Sequence, residues 1–310
     1  MSLEAASRYA ERYALLAVEM AEKETDPKRR LELALIANNC ANVPRKGATT
    51  FYEACQSFWF VQMLIQTEAS GHSISPGRFD QYMYPYYKKD LDAGKITREF
   101  AQELMDCIWV KLNDLNKVRD AASAEGFAGY SLFQNLIAGG QTKEGLDATN
   151  DLSFMCISAS LHVMLPMPSF SGRVWNGTPH EFLMRAAELT RTGVGLPAYY
   201  NDEVIIPALV NRGLSLEEAR NYCIIGCVEP QTMGKTDGWH DAAFFNMCRP
   251  IEMVFSNGID EGEVASIQTG ELPEFKTFDD FFDAYKKQMA YNIALMVNSD
   301  NAIDVAHSER

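Results

Sequence analysis

The stretch from 132 to 225 constrains the fold most, because short β-prone runs alternate there with helical ones. Residues 132–138, 169–174 and 198–200 read as strands, and 151–164, 179–192, 202–212 and 215–222 read as helices. Strands separated by whole helices cannot be tight hairpin partners, so the pattern predicts parallel βαβ units. The helix at 215–222 carries its own start signal, Ser215 followed three places on by Glu218.

The flanks are helical. Residues 4–24 and 27–42 are rich in Ala, Leu, Glu, Lys and Arg, with Asp26-Pro27 as a start signal between them and Pro44 as a stop. A helix at 50–70 is apolar on nearly every side, which predicts burial. Two more are expected at 79–93 and 97–120. Beyond the alternating region the reading is a helix at 241–256, an acidic loop to about 275, a helix at 278–297 and a polar tail. No repeat, low-complexity segment or Pro/Gly/Ser-rich linker divides the chain. The expectation is a single helix-rich α/β domain over 1–310, with a helical layer over about 1–120 and an α/β part over about 121–310.

Charge and cysteines narrow the function classes. The formal net charge is -14, a field that repels polyanions and argues against nucleic-acid binding. Seven cysteines at scattered spacings, several inside apolar runs, read as buried thiols in a reducing compartment. No C-x-x-C pair supports a metal site. Neither a basic-then-apolar leader nor an apolar run of ~20 residues is present, so the expected setting is cytoplasmic, away from membranes.

The chemistry concentrates in Gly226-Cys227-Val228-Glu229-Pro230. An apolar run ends at Gly226, which permits a sharp bend, and Pro230 stiffens the exit. Cys227 and Glu229 are two residues apart, so in an extended segment both side chains point to one face. A neighbouring carboxylate raises a thiol pKa and works against thiolate attack. It suits a thiyl radical, whose hydrogen abstraction needs no charge, with the carboxylate free to take a hydroxyl proton from the substrate.

Gly-Cys-Val-Glu-Pro resembles the cysteine loop of the glycyl radical enzymes, in the branch of dehydratases and other C–X lyases. Supporting stretches are Gly71-His72-Ser73-Ile74-Ser75-Pro76-Gly77-Arg78-Phe79-Asp80-Gln81-Tyr82 and Gly238-Trp239-His240-Asp241. The resemblance implies part of a ten-stranded α/β barrel wrapped by helices, with the cysteine loop at its centre. It implies Cys227 as the thiyl site, Glu229 as the base on the substrate hydroxyl, and His72, Ser73 and Asp241 as hydroxyl-binding and leaving-group-assisting residues. Phe133 stands near the position where diol dehydratases carry a tyrosine, which counts against a diol; because part of the pocket is expected to come from other segments of a longer protein, diols, hydroxyproline, choline-like amines and sulfonates stay open as the small-molecule substrate.

The pyruvate formate-lyase branch carries two adjacent cysteines, whereas Val228 follows Cys227 here. That leaves formate acetyltransferase chemistry as the second reading. The family's glycine loop, Arg-Val-(small)-Gly-Tyr, has no match after Cys227; Phe127-Ala128-Gly129-Tyr130 lacks the Arg-Val and precedes the cysteine. The expectation is therefore a middle portion of a longer enzyme, inactive alone. The intact protein is expected to be a homodimer whose glycyl radical is installed by an activating enzyme using S-adenosylmethionine and an iron–sulfur cluster, with no metal on this chain.

Plainer roles compete at each position. Cys227 reads also as an inert thiol, Glu229 as a loop ion-pair member, His72 as a hydrogen-bonded loop histidine, and Ser73, Asp241 and Asp202 as caps. Phe133 reads equally as core, and Arg78 with Asp80 as a structural ion pair. A polar cysteine hydrolase using Cys227, His240 and Asp241 is the rival from another class, and a non-catalytic helical scaffold a third.

Overall fold

The computed structural model describes residues 1–68, 73–116, 121–126, 132–235, 243 and 245–309. The chain forms two compact units, Met1–Asp237 and Gly238–Arg310.

The first unit opens with α1 (Ser2–Lys23) packed on α2 (Pro27–Asn42), then α3 (Phe51–Glu68), α4 (Phe79–Asp92), α5 (Arg98–Asn113) and the short α6 (Ala121–Gly126). Asp26 caps α2 by accepting the Lys28 N–H at 3.0 Å, with Pro27 in the first turn. Thr97 caps α5 in the same way. α5 stops at Asn113, short of the expected 120. α3 is less buried than its composition suggests: Val61 and Ile65 are exposed, while Glu53, Gln62 and Gln66 are inside. Glu53 and Gln62 are hydrogen-bonded rather than solvated. Glu53 takes Thr49 and Asn42, and Gln62 reaches Ile74 O and Gln134.

Next comes β1 (Asn135–Gly139), α7 (Asp151–Val163), β2 (Ser169–Val174), α8 (His180–Arg191), β3 (Ala198–Asn201), α9 (Asp202–Asn211) and α10 (Leu216–Arg220). The three strands form a parallel sheet in the order β1-β2-β3, with Leu136 opposite Phe170 and Gly172 opposite Tyr199. This is the βαβ arrangement that the alternation predicts. α7 and α10 begin with reciprocal capping boxes, Asn150 with Ser153 and Ser215 with Glu218.

Side chains alternate across the sheet. Leu136, Ala138 and Phe170 join the main core with Trp109, Met105, Phe79 and Phe182 from the helices. Ile137, on the other face, joins Ile206, Leu209, Tyr222, Cys223 and Ile224. That second face receives β4 (Tyr222–Ile225) and β5 (Glu229–Thr232), an antiparallel pair rather than a further βαβ unit. Tyr222, expected at the end of a helix, starts β4. The described residues hold this three-stranded sheet and two-stranded hairpins; they do not form a ten-stranded barrel.

The second unit has α11 (Arg249–Phe255), a hairpin of β6 (Ile259–Asp260) and β7 (Glu263–Val264), a 3-10 turn at Leu272–Glu274, and α12 (Phe278–Ser308). Among the described residues of the expected 241–256 helix, only Arg249–Phe255 is helical, with Pro250 in its first turn, where a missing N–H is harmless. α12 continues through the expected polar tail. Buried Gln288 fixes it to the preceding loop by accepting from Ser266 at 2.5 Å and donating to Ile267 O at 2.6 Å. No helix among the described residues is long and apolar enough to cross a membrane.

Candidate functional site

The Cys227 segment is the turn of the β4–β5 hairpin. Ile225 pairs with Glu229, leaving Gly226, Cys227 and Val228 as the connection. The sequence argument placed Cys227 and Glu229 on an extended segment. The structure corrects this, since Cys227 sits in the turn and Glu229 opens the returning strand.

Gly226 makes the turn possible with φ at 61°, a left-handed value that side chains resist. It also lacks room for a side chain. A Cβ there would stand 2.7 Å from Ser73 Oγ and 3.2 Å from Glu229 Oε2. The Ser73 hydroxyl and the Glu229 carboxylate therefore converge on the backbone that carries Cys227. Glu229 Oε2 accepts the Val228 N–H at 2.9 Å, which folds the carboxylate back over the turn.

The segment from Ser73 to Gly77 forms the wall beside this turn. Ser73 has φ at 63° and Phe133 has φ at 48°, left-handed positions for non-glycine residues and a mark of locally stored strain. The Ser73 N–H donates to Leu132 O at 3.0 Å. Ser75 Oγ ties the pieces together. It accepts the Gly226 N–H at 2.9 Å and the Asn135 N–H at 3.1 Å, and its proton faces Ser73 O at 3.1 Å with Phe133 O at 3.4 Å. From β3, Tyr200 donates its hydroxyl to Cys227 O at 2.8 Å. Burial, then Glu229 and Cys227, hold the Tyr200 phenol above its ordinary pKa, so it stays protonated as the donor.

Beneath the hairpin lies a charged network. Arg173 on β2 and Asp202 at the start of α9 are fully buried and form a two-bond ion pair at 2.7 and 2.8 Å. Arg173 also donates to Arg220 O and Tyr222 O and lies 4.0 Å from the Tyr222 ring centre, while the Tyr222 hydroxyl donates to Asp202 at 2.8 Å. Such a pair tolerates burial because its remaining lone pairs are used. Asp202 is thus no helix cap. Asn201 caps α9, through Glu203 N. Arg78 and Asp80 form no direct ion pair either. Arg78 serves Gln141 O and Asn221, whereas Asp80 takes Gly139 N–H and Ser153. Burial and Arg173 lower Arg78 to about 10, and burial raises Asp80.

Of the residues singled out from sequence, Cys227, Glu229 and Ser73 meet at the hairpin turn, and the Phe133 carbonyl faces Ser75 Oγ at 3.4 Å. His72 and Asp241 lie outside the described residues, as does His240. From sequence, Tyr200 belongs to the Tyr199-Tyr200-Asn201-Asp202 strand end expected to face the active site, whereas Ser75 carries no role of its own. The only prior signal for Ser75 was its place two residues beyond Ser73. The cysteines also need correction. Cys40, Cys55, Cys156 and Cys223 are buried as expected, but Cys107 and Cys248 are exposed and Cys227 is half-buried. Cys107 lies on the outward face of α5, so its apolar sequence neighbours belong to the opposite face.

A family profile described as Pyruvate formate lyase-like matches residues 1–310. The (2S)-3-sulfopropanediol dehydratase of Klebsiella oxytoca is 41 % identical across 100 % of this chain and 38 % of its own length. A solved structure of 1,2-propanediol dehydration in Roseburia inulinivorans is 74 % identical with a TM-score of 0.93, covering 98 % of this chain and 38 % of that one. The glycerol-bound B12-independent glycerol dehydratase from Clostridium butyricum is 59 % identical with a TM-score of 0.92, covering 99 % and 39 %. The chain thus spans well under half the length of the relatives it matches.

Proposed function

Because this chain belongs to the Pyruvate formate lyase-like family, we propose that it is the thiyl-bearing portion of a glycyl radical dehydratase acting on a small vicinal diol. The observation that carries this is the convergence of Ser73 Oγ and Glu229 Oε2 at Gly226, directly beside Cys227. The diol reading is supported by the relatives, whose names give a propanediol, glycerol and a sulfopropanediol, with identities of 74 %, 59 % and 41 %. The three parallel strands are proposed to be part of a ten-stranded barrel in the intact protein, a cytoplasmic homodimer.

A glycyl radical elsewhere in the full-length protein, installed by a radical S-adenosylmethionine activating enzyme, supplies the unpaired electron. Cys227, as a thiyl, takes a hydrogen atom from the carbon bearing one hydroxyl. Glu229 removes that hydroxyl's proton, giving a ketyl that expels the neighbouring hydroxide; with the proton it leaves as water. Ser73, with His72, holds the hydroxyls, and Asp241, as general acid, gives the departing hydroxide its proton and recovers one from protonated Glu229. The carbonyl-bearing carbon radical then takes hydrogen back from the Cys227 thiol. The net change is diol to aldehyde plus water, with the thiyl regenerated.

The test is turnover of the full-length activated protein. Cys227→Ser and Glu229→Gln should each abolish dehydration while the glycyl radical signal still forms on activation. Turnover by Cys227→Ser would sink the reading. The polar hydrolase reading makes the opposite demand, that Cys227 alkylate near neutral pH faster than exposed Cys107.

A further inference from the structure

Two hydrogen bonds bracket the residue that carries the sulfur. On its N-terminal side the Gly226 N–H is held by Ser75 Oγ at 2.9 Å. On its C-terminal side the Cys227 carbonyl is held by the Tyr200 hydroxyl at 2.8 Å. The two clamps come from different elements, Ser75 from the segment before α4 and Tyr200 from the end of β3. Neither is needed to form the hairpin, whose own pairing runs from Tyr222–Thr232 to Ile225–Glu229.

We propose that Tyr200 and Ser75 are positioning residues that fix the backbone on both sides of Cys227 and so aim its sulfur for hydrogen-atom transfer; this rests on the thiyl reading above. The physical reason is the short reach of the step. Hydrogen-atom transfer requires the reacting atoms in near contact, and a misplacement of about 1 Å can cost about 100-fold. The turn of Gly226, Cys227 and Val228 lies outside the strand ladder and opens on a left-handed glycine; besides the Val228 N–H bond to Glu229 within the hairpin, Ser75 and Tyr200 hold it from other elements. Ser75 adds a second consequence. Its hydroxyl also faces Ser73 O and accepts from Asn135 N, so the sulfur-bearing turn and the segment that presents the Ser73 hydroxyl share one anchor.

The experiment uses the full-length protein after anaerobic activation, assayed with 1,2-propanediol and its C1-deuterated form. Tyr200→Phe removes one oxygen and Ser75→Ala the other. Each should lower kcat about 10-fold or more with KM little changed. The deuterium isotope effect on kcat should rise, the glycyl radical signal should match the parent, and the thermal midpoint should stay well above the assay temperature. Ser75→Thr, which keeps an Oγ, should restore kcat. Parental kcat in both variants overturns the proposal. So does a kcat loss accounted for by radical content or by unfolding at the assay temperature, or an unchanged isotope effect. Cys227→Ser, run alongside, separates the two levels: if it is inactive while Tyr200→Phe and Ser75→Ala are normal, only the clamp fails, and if it turns over, the thiyl reading fails first.

Discussion

At Gly226 backbone strain and lack of space act on the same residue. Replacing it with Ala costs about 1–2 kcal/mol for the left-handed backbone, and the added carbon also pushes Ser73 Oγ and Glu229 Oε2 apart. Gly226→Ala should therefore lower the urea midpoint of this chain modestly while eliminating turnover in the full-length enzyme. A variant with parental turnover would show that the convergence is not used. The thiols give a second residue-scale expectation. Burial pushes Cys55 and Cys156 far above the ordinary thiol range, while Cys107 and Cys248 are exposed. Timed alkylation read by mass spectrometry should label Cys107 and Cys248 first and Cys55 and Cys156 last.

Among the elements, α10 is short and depends on its ends. Ser215 and Glu218 satisfy each other's backbone N–H groups at 3.3 and 3.0 Å, and α10 leads directly into β4. Ser215→Ala should cost about 1 kcal/mol of unfolding free energy, and a denaturation curve indistinguishable from the parent would show that tertiary packing alone holds the helix. The sheet elements depend on the Arg173–Asp202 pair, which joins β2, α9 and the hairpin. Asp202→Ala strands a buried guanidinium and should cost about 3–5 kcal/mol, measurable on the same curves.

For the molecule as a whole, buried thiols set an alkaline limit. Burial pushes Cys40 and Cys223 up to about 11 from 9.0. Between those values the unfolded chain has lost protons that the folded chain keeps. Their stabilising contribution is full below pH 9 and is lost as pH rises through 11. Unfolding free energy should fall over that window, and Cys223→Ala should flatten the fall; an unchanged slope would assign it to other groups. The single-domain proposal for 1–310 is tested by calorimetry, where one cooperative transition supports it and two separate transitions, one per compact unit, count against it.

Local rules carried much of this protein. The parallel βαβ order followed from apolar runs spaced by helices, the starts of α2 and α10 from Asp26-Pro27 and Ser215/Glu218, and the thiol–carboxylate pair from five adjacent residues, because each depends on neighbours in the chain. The same rules failed where distant segments decide. That α3 keeps Val61 outside and Gln62 inside depends on Ile74 and Gln134. That Asp202 binds Arg173 instead of capping a helix depends on a strand 29 residues earlier. That Ser75 and Tyr200 hold Cys227 depends on segments far apart in sequence meeting at one turn. A hydrogen bond reads out position in space, and only the tertiary structure supplies it.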